Sequence, residues 1–447
     1  MFQKILIANR GEIALRVIRA CREMGIRTVA IYSTADANAL HVRFADEAVC
    51  IGPPQATLSY LNQPAVLSAA EVTGADAVHP GYGFLAENAQ FAKAVRAMGL
   101  AFIGPSVEHL HMFGDKLSAK AAAKKAGIPM LEGSGGAIQS LEEAQAAAAA
   151  AGFPIMLKAA AGGGGKGMRV VEDADQLARV FEVAQAESQA AFGSRDVFLE
   201  RYLRRPRHIE VQVIGDAHGG GIHVGTRDCS LQRRHQKIIE EAPAPFLSDQ
   251  LRHDIQEAAA RLVRSVGYTT VATVEFLVED DAFFFLEVNP RIQVEHPVTE
   301  EVTGVDLIQM QIRMAAGEVL PLAQEDVVQK GHAIEVRVNA EDPQRFLPSP
   351  GLVTGYHEPG GPGVRVDSAI HEHAMVQPYY DSLAAKLIVR GDDREHAIRR
   401  MLGAIDEFIV EGIKVTLPLQ RELLQTEEFV TGTMWTRFVD QWVAQRD

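Results

Sequence analysis

The sequence predicts α/β and α+β units in three regions. These are a doubly wound parallel sheet at the amino terminus, a central region around a glycine-rich loop, and a mixed β domain at the carboxyl terminus. Three observations predict this fold. Strand-like and helical segments alternate over the first hundred residues, a glycine run separates two strand-like segments near residue 160, and turn signals interrupt β-like segments beyond Gly331. With 447 residues, the chain is long enough for two to four domains.

The amino-terminal region alternates between strands and helices. Residues 5–8 form an apolar run, residues 12–24 carry apolar side chains at helical spacing, and residues 28–32 are again strand-like. The same unit recurs between residues 75 and 103. This order predicts a parallel sheet with helices on its faces.

The glycine-rich loop follows a strand-like run at residues 155–158 and reads AAAGGGGKG over residues 159–167. It contains GxGxxG, but a dinucleotide fingerprint needs a helix next, and here another strand-like run follows. No hydroxyl residue follows the Gly-Lys pair, which excludes a Walker loop. Bare backbone amides flanked by Lys158 and Lys166 suit a polyphosphate, and the alternative is a mobile surface turn.

Two strand-like segments, residues 273–278 and 283–289, are joined by a short acidic turn. Folded as an antiparallel hairpin, they bring Glu275 opposite or nearly opposite Glu287, with Asn289 on the same side as Glu287. Facing carboxylates with Cβ atoms about 5 Å apart repel each other unless a cation lies between them. We therefore predict a Mg²⁺ or Mn²⁺ site here, and the alternative is a solvated hairpin face.

The polar residues Arg291, Gln293 and Glu295 alternate with apolar residues directly after this hairpin. As a continuing strand, they would point into the space beside the metal. There, Arg and Gln can hold a small oxyanion and a carboxylate can take its proton. A salt-bridged strand edge is the alternative. Residues 335–339 alternate in the same way and present Arg337.

A basic cluster, RDCSLQRRHQK from Arg227, lies in a protein whose formal net charge is −14. Such a cluster concentrates cations for an anionic ligand, and an ordinary solvated loop is the alternative. The overall acidity argues against a nucleic-acid partner. Just upstream, residues 208–213 alternate between polar and apolar, as a strand with one face open to a site does.

The three cysteines lie far apart at positions 21, 50 and 229 and form no CxxC pair, which predicts reduced thiols and a cytoplasmic protein. No apolar run reaches the roughly 18 residues that a membrane span needs. The amino terminus does not have the pattern of a secretory signal. We therefore expect no membrane partner.

Eight segments of the chain resemble biotin carboxylase, a family of ATP-grasp enzymes. They are MFQKILIANRGEIALRVIRA at the amino terminus, HPGYGFLAEN from His79, FIGP from Phe102, GDK from Gly114, RDCSLQRRHQK from Arg227, EVNPRIQVEHPVTE from Glu287, NAEDP from Asn339 and FLPSPG from Phe346. The resemblance implies an N-terminal domain (1–115), an ATP-grasp domain (116–330) and a C-terminal biotin carboxylase domain (331–447). A mobile glycine-rich lid would span about residues 130–203.

The resemblance also implies roles for individual residues. The residues that would bind the nucleotide and its phosphates or form the lid are Lys116, Lys158, Gly164, Gly165, Glu200, Leu203, His208, Gln232 and His235, together with Glu275 and Glu287. The metal ligands correspond to Glu275, Glu287 and Asn289. The bicarbonate pocket corresponds to Lys237, Arg291, Gln293 and Val294. Glu295 resembles the base that deprotonates bicarbonate, Arg337 the group that stabilises the biotin enolate, and Tyr82 a neighbour of the biotin ureido ring.

The implied reaction uses ATP, Mg²⁺ or Mn²⁺, bicarbonate and biotin. Bicarbonate attacks the γ-phosphate to give carboxyphosphate, which then carboxylates biotin N1. The chain contains no Met-Lys-Met triplet, so we expect biotin on a separate carboxyl carrier protein. The chain is too short to include a carboxyltransferase, which we expect on another subunit, and the resemblance implies a homodimer. Val288 and Pro290 resemble pyruvate carboxylases, whereas residues 296–298 resemble acyl-CoA carboxylases, and this leaves the holoenzyme open.

Three other functions compete with this interpretation. Another ATP-grasp ligase, such as a carbamoyl-phosphate or purine-pathway enzyme, is disfavoured by the RDCSLQRRHQK and HPVTE segments. A regulatory nucleotide-binding protein would be expected to lack a metal ligand or the base, and all of them are present. A Rossmann dehydrogenase is disfavoured because residues 9–12 have no glycine fingerprint.

Overall fold

The computed structural model describes residues 1–159 and 168–446. The predicted lid residues Gly164 and Gly165 lie outside these ranges. Within the described ranges, no helix is both long and apolar enough to cross a bilayer.

The amino-terminal region forms a five-stranded parallel sheet in the order β3-β2-β1-β4-β5. Its elements are β1 (Lys4–Ile7), α1 (Gly11–Glu23), β2 (Arg27–Ser33), α2 (Leu40–Phe44), β3 (Glu47–Gly52), α3 (Gln63–Thr73), β4 (Ala77–His79), α4 (Ala89–Ala97), β5 (Ala101–Phe102) and α5 (Val107–Gly114). Ile5 packs with Val17 of α1 on one face, and Leu6 packs with Phe91 of α4 on the other. Because successive side chains of a strand point to opposite faces, the sheet is covered on both, and the doubly wound prediction is confirmed.

The central region contains two sheets and several helices. Its elements are α6 (Lys116–Lys125), α7 (Leu141–Ala151), β6 (Ile155–Ala159), β7 (Met168–Val171), α8 (Ala174–Phe192), β8 (Val197–Arg201), β9 (Arg207–Gly215), β10 (Gly221–Arg233), β11 (Gln236–Ala242), α9 (Asp249–Val266), β12 (Thr270–Glu279), β13 (Ala282–Asn289), α10 (His296–Thr303) and α11 (Leu307–Ala315). Strands β6 to β8 form a small antiparallel sheet in the order β7-β6-β8. This sheet packs with α7 and α8 around a hydrophobic core that is separate from the other cores of the chain.

The carboxyl-terminal region continues the larger sheet. Its elements are β14 (His332–Asn339), β15 (Gly351–Leu352), β16 (Gly355–His357), β17 (Val364–Ser368), β18 (Met375–Val376), β19 (Leu383–Gly391), α12 (Arg394–Glu407), β20 (Ile409–Glu411), α13 (Leu417–Leu423), α14 (Glu427–Thr431) and α15 (Phe438–Ala444). Eight antiparallel strands follow the order β13-β12-β9-β10-β11-β14-β19-β17. The pairing of β11 with β14 therefore joins the central and carboxyl-terminal regions in one sheet.

One local prediction was wrong. Strand β13 ends at Asn289, and residues 290–295 form turns rather than a continuing strand. Pro290 has no N–H with which to continue the ladder to β12, which accounts for the end of the strand. At the carboxyl terminus, the helices α12 to α15 follow β19.

Candidate active site

A row of charged side chains crosses four adjacent strands of the large sheet. Arg227 of β10 pairs with Glu210 of β9, Glu210 pairs with Glu275 of β12, and Glu275 pairs with Glu287 of β13. Residues that pair directly across strands project from the same face of a sheet. The predicted apposition of Glu275 and Glu287 is therefore confirmed, and the row extends two strands further than the sequence indicated.

Arg227 neutralises the buried end of this row. Its side chain is fully buried, and its Nε and Nη2 atoms donate to Glu210 Oε2 at 3.1 and 2.9 Å. Nη2 also donates to Gln293 Oε1 at 2.6 Å. Burial raises the pKa of Glu210, but the positive charges of Lys237 and Arg227 outweigh burial and lower it to about 2. Glu210 is therefore ionised at neutral pH.

The other end of the row has the donor set of a divalent-cation site. Glu275 Oε1 accepts hydrogen bonds from Asn289 Nδ2 at 2.7 Å and from Gln293 Nε2 at 2.8 Å. Burial and the negative charge of Glu275 raise the pKa of Glu287. Burial also opposes ionisation of Glu275, but Lys237 and His208 hold its pKa well below the ordinary value. A cation between the two carboxylates would relieve this repulsion, so the residues fit Mg²⁺ or Mn²⁺.

Glu295 is held between two cations. Lys237 Nζ lies 2.7 Å from Glu295 Oε1 and 3.2 Å from Glu275 Oε1. From the other side, Arg337 Nη2 donates to Glu295 Oε2 at 2.9 Å, and Arg337 Nε donates to Glu240 Oε1 at 2.6 Å. Burial raises the pKa of Glu295, but Lys237 and Arg337 outweigh burial and lower it. The carboxylate is therefore ionised and positioned to accept a proton.

A cavity of about 650 Å³ opens beside Glu295. All three regions of the chain contribute to its wall. The site residues predicted from the sequence that line it are Tyr82, His235, Lys237, Arg291, Gln293, Val294, Glu295 and Arg337. A cavity of this size, with Lys237, Arg291 and Arg337 around the carboxylate of Glu295 on its wall, suits a small anion together with a polar ring.

The turn after β13 brings Arg291 and Gln293 to this cavity although the predicted strand is absent. Arg291 Nη2 donates to Asn289 Oδ1 at 2.9 Å, and Arg291 Nε contacts Glu87 of the amino-terminal region. Gln293 lies between Arg227 and Glu275. Tertiary hydrogen bonds, rather than strand periodicity, therefore make these side chains converge.

Asn9 fixes the position of Tyr82. Its Nδ2 atom donates to the backbone carbonyl oxygens of Pro80 and Tyr82, both at 2.7 Å. Gly81 between them has φ +62°, and a Cβ atom there would lie 2.9 Å from Asn9 Nδ2, so only glycine fits. The Tyr82 hydroxyl donates to Glu12. Two residues of the amino-terminal segment thus hold Tyr82 at the cavity.

The predicted nucleotide residues occupy two places. His208 Nε2 lies 2.9 Å from Glu275 Oε2, and His208 Nδ1 lies 2.7 Å from Gln232 Nε2. Burial lowers the pKa of His208, but the carboxylates of Glu275 and Glu210 outweigh burial and raise it to about 10. In the small sheet, Lys158 forms an ion pair with Glu200. These two places are the large sheet and the small sheet of β6, β7 and β8.

The remaining nucleotide candidates differ in exposure. Leu203 is buried, whereas His235 is exposed in the turn between β10 and β11, where its φ is +65°. Lys116 is the first residue of α6, and its positive charge partly offsets the rise in the pKa of Glu287 that burial and Glu275 cause. Lys116 is therefore close enough to the predicted metal ligands to interact with them electrostatically.

The basic cluster divides between strand and turn. Arg227 and Gln232 are buried in β10, Arg234 and His235 are exposed in the turn, and Lys237 is in β11. The cluster is therefore neither an anion-binding cluster nor a solvated loop over its whole length. Its amino-terminal end neutralises buried Glu210, and its carboxyl-terminal end borders the cavity.

Sequence analysis missed several residues of the site. Glu210 follows His208 by two residues on the same face of β9, and that spacing could have revealed it. Lys120 pairs with Glu200 and follows Lys116 by one helical turn. Lys386 and Glu12 had no local signal, because they meet only through the packing of distant segments.

The family models match three consecutive parts of the chain. The biotin carboxylase N-terminal domain matches residues 1–110, the carbamoyl-phosphate synthase L chain ATP-binding domain matches residues 115–323, and the biotin carboxylase C-terminal domain matches residues 335–441. The chain is also 52% identical to biotin carboxylase of Pseudomonas aeruginosa, over 99% of this chain and 98% of that one. This chain belongs to the biotin carboxylase family. As a member, it is an ATP-grasp ligase that carboxylates biotin with bicarbonate and ATP, using Mg²⁺.

Other relatives of this chain extend the comparison. A pyruvate carboxylase subunit of Methanothermobacter thermautotrophicus is 50% identical over 99% of this chain and 90% of its own length. The crystal structure of a biotin carboxylase–beta-gamma-ATP complex from Campylobacter jejuni superposes with a TM-score of 0.93 at 45% identity, and the match covers 99% of each chain. The biotin carboxylase domain dimer of Hydrogenobacter thermophilus 2-oxoglutarate carboxylase, in complex with MgADP, ADP and bicarbonate, gives a TM-score of 0.91 at 45% identity, covering 100% of this chain and 99% of that one.

Proposed function

We propose that the cavity beside Glu295 binds bicarbonate and the biotin ureido ring, and that the charged row beside it binds the Mg²⁺ and phosphates of ATP. The observation that carries this proposal is the position of the Glu295 carboxylate, 2.7 Å from Lys237 Nζ and 2.9 Å from Arg337 Nη2 on the cavity wall. A base fixed between two cations can accept a proton from an anion that the same cations attract.

Bicarbonate would lie against Lys237, Arg291, Gln293 and the backbone of Val294. As its oxygen attacks the γ-phosphate of ATP, its proton passes to Glu295, and the products are carboxyphosphate and ADP. Lys237 and Arg291 offset the negative charge that develops on the attacking oxygen. The buried side chain of Gln293, held between Arg227 and Glu275, gives the pocket a fixed shape.

Glu275, Glu287 and Asn289 would hold the Mg²⁺, which neutralises phosphate charge when it is bound. The raised pKa of Glu287 supports this assignment, because a carboxylate that is costly to ionise beside Glu275 becomes favourable once a dication is present. Lys116 and Lys158 would pair with the phosphates. His208, Gln232, His235, Glu200 and Leu203 would border the ribose and adenine, with Gly164 and Gly165 in the lid.

Biotin would meet Arg337 and Tyr82. Arg337 is permanently charged and lies on the cavity wall, so it can stabilise the negative charge on the ureido oxygen when N1 loses its proton. The phosphate released from carboxyphosphate can take that proton. Tyr82 supports the same subsite through its contact with Glu12.

We further propose three units, residues 1–115, 116–330 and 331–447, with a lid at about residues 130–203. The family-model matches support these limits, because they change at residues 110–115 and 323–335. The separate core of β6, β7, β8, α7 and α8 supports the lid. The second limit crosses a continuous sheet, so the last two units should move together.

The enzyme would act as a homodimer in the cytoplasm, with biotin on a carrier protein and a carboxyltransferase on another subunit. Supporting facts are that the pyruvate carboxylase relative is itself one subunit of its enzyme, and that the Hydrogenobacter thermophilus domain is a dimer. Cys21, Cys50 and Cys229 form no disulfide, in keeping with a reducing compartment.

The deciding experiment measures ATP hydrolysis with Mg²⁺, with bicarbonate and free biotin each added or omitted. We expect turnover that requires bicarbonate and rises with biotin. Glu295→Gln, which keeps the shape but cannot accept the proton, should lower this turnover at least about 100-fold, the range for loss of a general base. ATP binding should be unchanged. Turnover indifferent to bicarbonate would favour another ATP-grasp ligase, and ATP binding without turnover would favour the regulatory alternative.

A further inference from the structure

Lys386 lies at the centre of β19 and is fully buried. A lysine ammonium group is rarely buried unless it is paired, because desolvation of a charge costs several kcal/mol. Its Nζ atom donates to the backbone carbonyl oxygen of Val294 at 2.8 Å and lies 3.2 Å from Glu12 Oε2. Asp367 Oδ2 lies farther away, at 3.9 Å. Lys386 thus contacts both the turn that follows β13 and the amino-terminal region.

Lys386 and Arg337 form a matched pair of cations. They are register partners on adjacent strands β19 and β14, so both side chains leave the same face of the sheet. Arg337 holds the carboxylate of Glu295, and Lys386 holds the carbonyl oxygen of the preceding residue, Val294. Two neighbouring strands thereby fix two consecutive residues of the turn that follows β13.

The contact continues from Lys386 to the biotin side of the cavity. Glu12 Oε2 faces Lys386, and Glu12 Oε1 accepts the hydrogen bond from the Tyr82 hydroxyl. Lys386, Glu12 and Tyr82 therefore form one chain of charge-assisted contacts, of which only Tyr82 is a predicted substrate residue. Burial lowers the pKa of Lys386, but Glu12, Glu335 and Asp367 outweigh burial and raise it. The ammonium group is therefore charged when it makes these contacts.

We propose that Lys386 is a positioning residue that sets the bicarbonate and biotin subsites relative to each other, by anchoring Val294 directly and Tyr82 through Glu12. The inference rests on the proposed function, in which Val294 borders bicarbonate and Tyr82 borders biotin. Lys386 does not line the cavity, so it acts through these two residues rather than on a reacting atom.

The test compares KM values for bicarbonate, free biotin and ATP in Lys386→Met and in the double variant Lys386→Met/Glu12→Gln. The double variant removes the unpaired charge that the single variant leaves on Glu12, while the amide oxygen introduced at that position would still accept the Tyr82 hydrogen bond. We expect KM for bicarbonate to rise on the order of 10- to 100-fold in both, as for loss of a charge-assisted hydrogen bond. KM for biotin should rise more in the single variant, and KM for ATP should change less than about threefold.

Arg394→Met is the matched control. Arg394 Nε bonds buried Glu241 at 2.7 Å, and neither residue lines the cavity. This control should lower the melting temperature without shifting the ratio of the KM values. A parallel rise of all three KM values in the Lys386 variants would overturn the inference, as would unchanged KM for bicarbonate, or failure of the double variant to fold while the control folds. If the wild type itself shows no bicarbonate-dependent turnover, the proposed function fails instead.

Discussion

In the five-stranded parallel sheet, helices cover both faces, whereas one face of the eight-stranded antiparallel sheet carries a row of ionised groups. Burial lowers the pKa of His41 to about 4 and that of His79 to about 3, so these two histidines of the parallel-sheet region are neutral at pH 7. In the large sheet, Glu210 is equally buried but remains ionised beside Arg227 and Lys237. The difference is the balance of charge around each group. The carboxylate of Asp36 near His41 is already paired with Arg10, so burial prevails at His41, whereas two cations beside Glu210 outweigh burial.

The largest expected effect comes from breaking the charged row. Arg227→Met leaves the buried carboxylate of Glu210 without its guanidinium, so we expect the free energy of unfolding to fall by about 3–5 kcal/mol. Urea denaturation followed by circular dichroism measures this change. The control Arg399→Met, which breaks an exposed pair with Glu395, should cost less than about 1 kcal/mol. Equal losses in the two variants would mean that pairing does not stabilise the row.

A smaller effect should distinguish the neutral histidines. The pKa of His41 is about 4 in the folded protein, against an ordinary value of 6.5. The unfolded chain therefore binds a proton between about pH 6.5 and pH 4 that the folded protein does not, so stability is present above pH 6.5 and is lost as the pH falls. Between pH 6.5 and pH 4, the free energy of unfolding should fall by up to about 3 kcal/mol less in His41→Phe than in the wild type. Urea denaturation at both pH values measures this difference. The exposed control His253→Phe should follow the wild type, and an unchanged slope in His41→Phe would contradict the assignment.

The smallest effect concerns the facing carboxylates. Glu287→Gln removes one negative charge opposite Glu275, so the metal-free protein should gain about 1 kcal/mol in the free energy of unfolding. The same variant should need at least about tenfold more Mg²⁺ for half-maximal ATP turnover, because a ligand is lost. Titration with Mg²⁺ tests the expected change in metal requirement, and thermal melting of the metal-free protein tests the expected gain in stability. Glu325→Gln, an exposed residue, should change neither, and a destabilised Glu287→Gln would mean that the pair does not repel.

The sequence predicted the parallel sheet and the apposition of Glu275 and Glu287, because each depends on local periodicity or on a short hairpin. The strand expected over residues 290–295 was wrong, since polar alternation continues where the ladder ends at Pro290. The residues were the right ones, but the reason for their convergence was tertiary.

Buried contacts between residues far apart in the sequence could not be predicted, because no local pattern indicates them. Arg227 and Glu210 are 17 residues apart, Arg16 and Glu300 are 284 apart, and each pair forms a buried contact. Lys386 lies within an apolar strand, and no pattern in the neighbouring sequence predicts its contacts with Val294 and Glu12.

By itself, the sequence determined the order of strands and helices in the amino-terminal region, the hairpin that brings two carboxylates together and, through its motifs, the family. The tertiary structure alone decided which charges are neutralised and which remain available. Ionisation in a buried site depends on the distance to a counter-charge, and in this protein the counter-charges come from strands β10, β11, β14 and β19, which only the folded sheet brings side by side.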